Sequence, residues 1–183
     1  LTAPPVTGRV SRLGEGRAQS AGRGVRQGAW LSYGVAEGLP RATVLAILQD
    51  RRGHLWLGTG GGGLVHFDGA RFTMYTREDG LPSDDVAGLV EDGQGNLWMT
   101  PSRHCPKGVT RLDPTTKQLL TYDSADGLAL DIVGALTVDR EGRVWLATQV
   151  DPSRWNSARQ QFEQPRTAGR SARLMIEAIH GGP

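Results

Sequence analysis

Apolar residues in this sequence fall into short runs that glycine or proline interrupts about every ten residues. The runs are filled largely by Val, Leu, Trp and Thr, and several of these residue types favour strands. Such spacing leaves little room for long amphipathic helices. The pattern therefore predicts an all-β chain of short strands joined by frequent turns.

The short runs recur as a longer repeat. The dipeptide Gly-Leu begins at positions 38, 80 and 127, with an aspartate twelve residues later and a tryptophan eighteen residues later in every copy. A glycine follows each aspartate by three residues. The recurring residues are Asp50, Gly53 and Trp56 in the first copy, Asp92, Gly95 and Trp98 in the second, and Asp139, Gly142 and Trp145 in the third.

Four predicted strands in a repeat of this length are typical of a β-propeller blade. In each Asp-x-x-Gly turn we expect the aspartate to cap its own backbone and the glycine to adopt a positive φ. We expect each tryptophan to fill the wedge between neighbouring blades. Trp30 and Tyr33 hold the closing positions of an earlier unit, which indicates a stub strand.

The predicted boundaries are a stub at 29–37 and blades at 38–79, 80–126 and 127–164. About three blades of four antiparallel strands and a stub form an incomplete ring, because propellers typically use about 4–8 blades. We therefore expect the chain to be a fragment of a longer propeller.

The net charge of +2 is unevenly distributed. Residues 1–28 carry five arginines and one glutamate, and residues 165–183 carry three arginines and one glutamate, which leaves −4 for the middle. The first flank is rich in Gly and Arg and poor in large apolar residues, so we expect it to be disordered. No aromatic residue is interleaved with its arginines, which disfavours nucleic-acid binding. The tail 165–183 fits no blade.

Two further absences limit the function classes. No run approaches the ~18–20 apolar residues of a membrane helix, and the first residues contain no apolar core of a secretory signal. The single cysteine, Cys105, excludes an internal disulfide and a multi-cysteine zinc site.

The repeat resembles a known family. The segments GLPRATVLAILQDRRGHLWLGTGGGGLVHFDG (38–69) and GLPSDDVAGLVEDGQGNLWM (80–99) are similar to the two-component regulator propeller repeat, and 127–148 matches less fully because Ala129 replaces the proline. The chain has no Trp-Asp dipeptide, which disfavours a WD repeat. The resemblance implies a periplasmic or otherwise extracytoplasmic sensor region of a bacterial signalling protein, often a hybrid histidine kinase. It also implies an oligosaccharide or other small polar ligand, and output domains in a longer chain. We expect no cofactor, and the incomplete ring predicts further blades.

Blade geometry suggests where a ligand would bind. The Gly-Leu connection between blades should lie on the same face as the loop between the second and third strands of a blade. Loops on a rigid scaffold commonly carry function. The predicted ligand-binding residues on this loop face are Arg41, Asp84, Asp85, Arg103, His104, Lys107 and Asp131.

Patterns for catalysis or metal binding are weak. The glycines of 58–63 are not followed by the Gly-Lys-Ser/Thr of a phosphate loop. Asp92, Gln94 and Asn96 imitate the start of a calcium loop, but Arg103 stands where its glutamate is needed. His104 and Cys105 have no further ligands at suitable spacing. We therefore predict neither catalytic residues nor metal ligands.

Three function classes remain after these exclusions. The favoured one is a non-catalytic module of a two-component sensor, which binds a ligand or partner. A propeller lyase or glycan-degrading enzyme would need clustered His and Glu on strands that face the channel, and usually a divalent ion. His54 lies in a turn and His66 on a third strand, which argues against it. A protein-interaction scaffold is the third class.

Overall fold

The computed structural model describes residues 8–40, 43–102, 108–148 and 151–165. The strands in these ranges are β1 (Arg9–Arg12), β2 (Arg17–Ser20), β3 (Val25–Gln27), β4 (Trp30–Ser32), β5 (Thr43–Gln49), β6 (Leu55–Gly60), β7 (Leu64–Phe67), β8 (Arg71–Tyr75), β9 (Gly88–Glu91), β10 (Leu97–Thr100), β11 (Val109–Leu112), β12 (Gln118–Tyr122), β13 (Val133–Val138), β14 (Val144–Thr148), β15 (Ser153–Asn156) and β16 (Gln161–Glu163). One-turn 3-10 helices span Val35–Glu37, Arg77–Asp79 and Ser124–Asp126. No helix in the described ranges has the length and apolarity needed to cross a membrane.

Three antiparallel sheets contain four strands each that pair in chain order. Blade 1 consists of β5 to β8, blade 2 of β9 to β12 and blade 3 of β13 to β16. The innermost strands β5, β9 and β13 contact one another in that order. The stub strand β4 pairs with β3 in a separate two-stranded sheet. The predicted all-β fold of propeller blades is therefore confirmed, and the described residues do not close a ring.

The main apolar clusters lie between the blades. One cluster joins Trp56 and Tyr75 of blade 1 to Leu89 and Leu97 of blade 2. A second joins Trp98 of blade 2 to residues of blade 3, including Leu146 and Trp155. Burial of apolar surface is the main favourable term in folding. The facing sheets therefore stabilise one another, and each recurring tryptophan of blades 1 and 2 contributes to the joint with the next blade.

The Gly-Leu dipeptide ends a helical turn that the sequence analysis did not predict. Gly38, Gly80 and Gly127 follow the three one-turn helices and adopt left-handed φ values of 99°, 98° and 92°. Glycine adopts this conformation without the steric cost that a side chain adds. The following leucines at 81 and 128 are buried and start the connection to the next blade.

The N-terminal segment differs from the expected disorder. β1 pairs with β12 at the outer edge of blade 2, and β2 pairs with β8 at the outer edge of blade 1. β3 pairs with β4, the strand of the stub. We call residues 9–27 the edge strap. It passes the blades in reverse order and gives blades 1 and 2 a fifth strand, which covers edges that would otherwise present unpaired backbone groups.

Glycine recurs every eight residues along the edge strap. Gly8, Gly16 and Gly24 each precede a strand of the strap. Leu13 and Ala21 hold equivalent positions after β1 and β2, and their N–H groups donate to Lys117 O and Ala70 O, both at 2.8 Å. The prediction of disorder is therefore wrong for 9–12, 17–20 and 25–27. Residues 1–7 and 166–183 lie outside the described residues.

Large apolar side chains are exposed on the stub and on the innermost strand of blade 1. Trp30 is 80% exposed and Ile47 is 68% exposed, with Leu31 and Leu45 beside them in sequence also exposed. Exposed large apolar side chains favour contact with further apolar surface, because burial removes them from water. The stub and β5 are therefore surfaces on which further protein could pack.

The edge strap should contribute measurably to stability through Leu13. This side chain is 3% exposed and belongs to the cluster between blades 1 and 2, whereas Val10 of the same segment is 64% exposed. We expect Leu13→Ala to lower the free energy of unfolding by about 2–4 kcal/mol, because it leaves a cavity in the cluster. Urea unfolding measures the loss, with Val10→Ala as the control. Equal effects of the two substitutions would show that the strap is not docked.

Candidate functional site

The loop face has the geometry that the sequence analysis expected. Gly61 N and Gly63 N donate to Asp84 O at 3.1 and 2.7 Å, and Gly108 N donates to Asp131 O at 2.9 Å. The loop after the second strand of each of these blades thus lies against the connection to the next blade. The two kinds of loop share one face.

Two of the predicted ligand-binding carboxylates accept hydrogen bonds from the backbone of the protein itself. Asp84 Oδ1 accepts a hydrogen bond from Arg77 N at 2.7 Å, and Asp131 Oδ1 accepts one from Ser124 N at 2.6 Å. Each donor is the first residue of a one-turn helix. Asp85 is half-buried and its N–H donates to Ser83 Oγ at 3.0 Å. The other four members, Arg41, Arg103, His104 and Lys107, lie outside the described residues, so ligand binding by this set stays a prediction.

The opposite face carries the Asp-x-x-Gly turns, and we call it the turn face. In every copy the aspartate Oδ1 accepts hydrogen bonds from the backbone N–H groups two and four residues later, at 2.8–3.1 Å. Its Oδ2 accepts a hydrogen bond from the tryptophan indole N–H. These distances are 2.9 Å for Trp56 to Asp50, 2.8 Å for Trp98 to Asp92 and 2.8 Å for Trp145 to Asp139. The indole bond was not expected from the sequence.

The residue four positions after the aspartate differs between the blades. In blade 2, Asn96 Nδ2 donates to both Asp92 oxygens, at 3.1 and 2.9 Å. In blade 3, Arg143 Nε donates to Asp139 Oδ2 at 2.6 Å. Both side chains therefore give the aspartate an additional donor.

Blade 1 has a histidine, His54, at this position. Its Nδ1 lies 3.0 Å from Nε2 of His66, and the carboxylate of Asp50 is close by. The His66 ring stacks on Trp56 with the ring centroids 4.3 Å apart. The strand register places His66 opposite Trp56, as Arg111 lies opposite Trp98 and Arg154 opposite Trp145. The positions that hold Asn96 and Arg111 in blade 2, and Arg143 and Arg154 in blade 3, are thus an imidazole pair in blade 1.

Burial and neighbouring charges shift the pKa values of these groups. Burial lowers the pKa of His66, and the His54 ring lowers it further, while the carboxylates of Asp50 and Asp68 oppose the shift. Burial raises the pKa of Asp50, but hydrogen bonds from Trp56 and from the backbone of the turn outweigh it, so the pKa lies below its usual value. The turn of blade 1 therefore holds a carboxylate beside an imidazole, that of His66, whose pKa is lowered.

Two clefts open between successive blades on the turn face. The first, of about 380 Å³, lies between the turns of blades 1 and 2. Charged, amide and hydroxyl side chains line it, among them Arg51, Arg52, Glu91, Gln94, Thr115 and Thr116. The second, of about 220 Å³, lies at the equivalent place between blades 2 and 3. Sequence reasoning placed binding on the loop face and missed both clefts.

Arg51 accounts for the difference between the clefts. Its guanidinium donates to Gly93 O and Asp92 O, both at 2.9 Å, so a side chain stands between the turns of blades 1 and 2. At the equivalent position of blade 2 the residue is glycine, and Gly93 N donates directly to Gly142 O at 2.9 Å. The turns of blades 2 and 3 therefore meet backbone to backbone, and the cleft between them is smaller.

Among the described residues, the smaller cleft contains a buried donor without a hydrogen-bond partner. Trp155 lines it and is buried, and within the described residues its indole N–H finds no hydrogen-bond acceptor. A buried unpaired donor is costly unless water or another molecule accepts its hydrogen bond.

Comparison with known proteins identifies the repeat. Residues 38–61, which contain the blade 1 turn and Trp56, match the model of the two component regulator propeller family. The chain carries a two component regulator propeller repeat. None of the curated proteins matches this sequence.

Solved structures share the fold of these blades. The extracellular domain of a protein assigned as a hybrid two component system of B. thetaiotaomicron is 23% identical, with a TM-score of 0.62 over 74% of this chain and 20% of that chain. The extracellular domain assigned to a one component system of the same organism is 22% identical, with a TM-score of 0.55 over 66% of this chain and 18% of that one. The chain thus spans about a fifth of these domains.

An enzyme shares the blade architecture as well. Virginiamycin B lyase from Staphylococcus aureus is 12% identical, with a TM-score of 0.53 over 87% of this chain and 60% of that chain. At such identities the likeness concerns the fold, and fold alone does not decide between a sensor and an enzyme.

The buried aspartate of an Asp-x-x-Gly turn should contribute more to stability than the aspartate of an exposed turn. Asp92→Ala would leave Asn96 N and the indole N–H of Trp98, both in buried residues, without their acceptor. We expect a loss of about 3 kcal/mol or more in the free energy of unfolding, because each buried unsatisfied donor costs about 1–3 kcal/mol.

The matched control for this substitution is Asp68→Ala in an exposed turn. Asp68 Oδ1 also accepts two backbone hydrogen bonds, from Ala70 N and Arg71 N, but water can replace it there. We expect its loss to be about 1 kcal/mol or less. Equal losses for the two variants in urea unfolding would contradict a special role for the buried turn.

The blade 3 turn predicts a pH dependence. Burial raises the pKa of Asp139, but hydrogen bonds from Trp145 and Arg143 lower it below the usual value of 3.8. A depressed folded-state pKa contributes stability that is complete above about pH 4 and disappears as the pH falls through the folded value. We expect Asp139→Asn to be less stable than the wild type at pH 7, with a difference that shrinks below about pH 4. Unfolding measured across this range would contradict the assignment if the difference stayed constant.

Proposed function

We propose that the chain is part of the sensor region of a bacterial two-component signalling protein and binds a small polar ligand without catalysing a reaction. The cleft between blades 1 and 2 is the observation that carries the ligand-binding proposal. It is large enough for a small sugar-like molecule and is lined by hydrogen-bonding side chains.

The cleft combines a fixed cation with an available one. Arg51 is held by two backbone carbonyls and lies 3.9 Å from a Glu91 oxygen. Arg52 reaches only Thr115 Oγ1, at 3.5 Å, among the described residues. Its remaining N–H donors are free to bind a hydroxyl or carboxylate of a ligand, which a planar guanidinium does in bidentate geometry.

The sensor assignment is supported by the repeat matched at residues 38–61 and by solved structures that share the fold. Two of the solved structures that share the fold are extracellular domains about five times as long as the part they match. We therefore place the chain outside the cytoplasm and propose that it works within a longer protein with output domains. Further blades would cover the exposed apolar residues of the stub and β5, including Trp30 and Ile47.

The lyase-like alternative has less support from the described side chains. The histidines within the described ranges, His54 and His66, lie in the turn and on the third strand of blade 1. Neither lies on an innermost strand, where a central active site would draw its residues. A scaffold that recognises a protein rather than a small ligand remains the second candidate, because the exposed apolar stub would suit it.

Ligand binding can be tested with a defined panel. We would screen neutral and uronic-acid-containing oligosaccharides by thermal shift and measure the hits by calorimetry. We expect Arg52→Ala to weaken binding at least tenfold, because it removes the available guanidinium from the cleft. Arg103→Ala and Lys107→Ala on the predicted loop face are the controls and should change affinity little.

The outcomes separate the candidates. If the loop-face substitutions weaken binding and Arg52→Ala does not, the ligand lies on the loop face, as the sequence analysis predicted. If no member of the panel binds, the small-ligand proposal fails in favour of the interaction scaffold. Turnover of a bound oligosaccharide, seen by chromatography, would contradict the non-catalytic assignment.

A further inference from the structure

The imidazole pair of blade 1 has the geometry of a metal site. His54 Nδ1 and His66 Nε2 are 3.0 Å apart, and one oxygen of Asp50 lies within 4.8 Å of both. Two imidazole nitrogens bound to tetrahedral Zn²⁺ at about 2.0–2.1 Å stand about 3.3 Å apart. The two nitrogens would therefore need to move apart by only about 0.3 Å to bind the ion. We propose that Asp50, His54 and His66 bind a zinc-class divalent transition ion on the turn face.

The repeat shows that the fold does not require these histidines. The position of His54 is occupied by Asn96 in blade 2 and by Arg143 in blade 3, where each donates to the turn aspartate. The position of His66 is Arg111 or Arg154. Blades 2 and 3 form the same turn and the same indole bond without any imidazole. The histidine pair therefore serves something other than the turn.

Asp50 retains an acceptor position for the ion. Its Oδ1 accepts two backbone hydrogen bonds, whereas Oδ2 accepts one within the described residues, from Trp56. In blade 2 the equivalent oxygen accepts a second hydrogen bond, from Asn96. An ion at Oδ2 would take the place of that donor and supply the same positive charge.

The surroundings suit a partly open site. Trp56 stacks on His66 and fixes the plane of the imidazole, and the indole bond fixes Asp50 in turn. Such supporting contacts orient metal ligands in proteins. Asp50, His54 and His66 are each half-buried, so an ion has a route from solvent and a fourth position remains for water. The carboxylate of Asp68 interacts electrostatically with both rings and adds negative potential.

The ligand set selects the class of ion. Two imidazoles and one carboxylate suit zinc, nickel or copper, whereas calcium and magnesium prefer sites built wholly of oxygen. Three protein ligands with an open fourth position are the pattern of exchangeable rather than closed structural zinc sites. The inference does not depend on the oligosaccharide proposal.

Zinc binding should be measured on the full chain in a background that isolates the pair. The chain has four histidines and one cysteine. The variant His104→Gln/Cys105→Ser/His180→Gln leaves His54 and His66 as its only imidazoles. We expect calorimetric titration with zinc chloride to give one ion per chain with a micromolar Kd. Both imidazole NMR signal sets should shift together.

The variants that remove the site replace each histidine by the residue found at the same position in another blade. In the same background, His66→Arg copies blades 2 and 3, and His54→Asn copies blade 2, so the blade should still fold. We expect each to weaken zinc binding at least tenfold while near-ultraviolet circular dichroism stays unchanged. If the background variant binds no zinc, or if both substitutions leave its affinity unchanged, the site does not exist. Should either variant unfold, the imidazole shifts of the background variant decide the question alone.

Discussion

The hydrogen bond from a tryptophan indole to the aspartate of its turn is the interaction on which this structure depends. In each blade one carboxylate closes the Asp-x-x-Gly turn with Oδ1 and holds the indole with Oδ2. The turn sets the register of the first two strands, and the indole projects from the second strand toward the neighbouring blade. One side chain therefore links the geometry within a blade to the packing between blades. In blade 2 this link is fully buried, since Trp98 is 0% exposed and Asp92 is 5% exposed.

Packing between blades does not pair the backbone groups of the outermost strands. In blades 1 and 2 the edge strap forms hydrogen bonds with these strands. Sheets that splay outward have an outermost strand with unpaired backbone groups. β1 and β2 pair with these strands in blades 2 and 1, and Leu13 reaches from the strap into the cluster between them. The strap thereby connects both blades at the rim, while the tryptophans connect them within. Its ion pairs, Arg9 with Asp123 and Lys117 with Glu15, are exposed and contribute little.

The sequence could predict the blades because their signal is a repeated set of side chains. Asp92, Gly95 and Trp98 recur at constant offsets, and both the turn and the fold class follow from local chemistry. The strap could not be recognised in this way, because Arg17–Ser20 is exposed throughout and has no apolar alternation. Its order comes from backbone pairing with a strand about fifty residues away. A period of eight in Gly8, Gly16 and Gly24 was the available signal. The clefts depend on how two turns meet in space, which Arg51 and Gly93 decide through contacts that no spacing reveals.

Recurrence within the chain separates residues that serve the fold from those that serve function. Asp84 and Asp131 occupy equivalent positions, and both carboxylates cap a one-turn helix, so their presence on the loop face needs no ligand to explain it. Asp85 has no acidic counterpart in the next unit, where the equivalent residue is Ile132. The same comparison distinguishes the histidine pair from the aspartate and tryptophan beside it. At such a position the shared backbone does not dictate the side chain, so the histidine pair is a feature of blade 1 rather than of the repeat. Function in this chain is therefore best sought where the blades disagree.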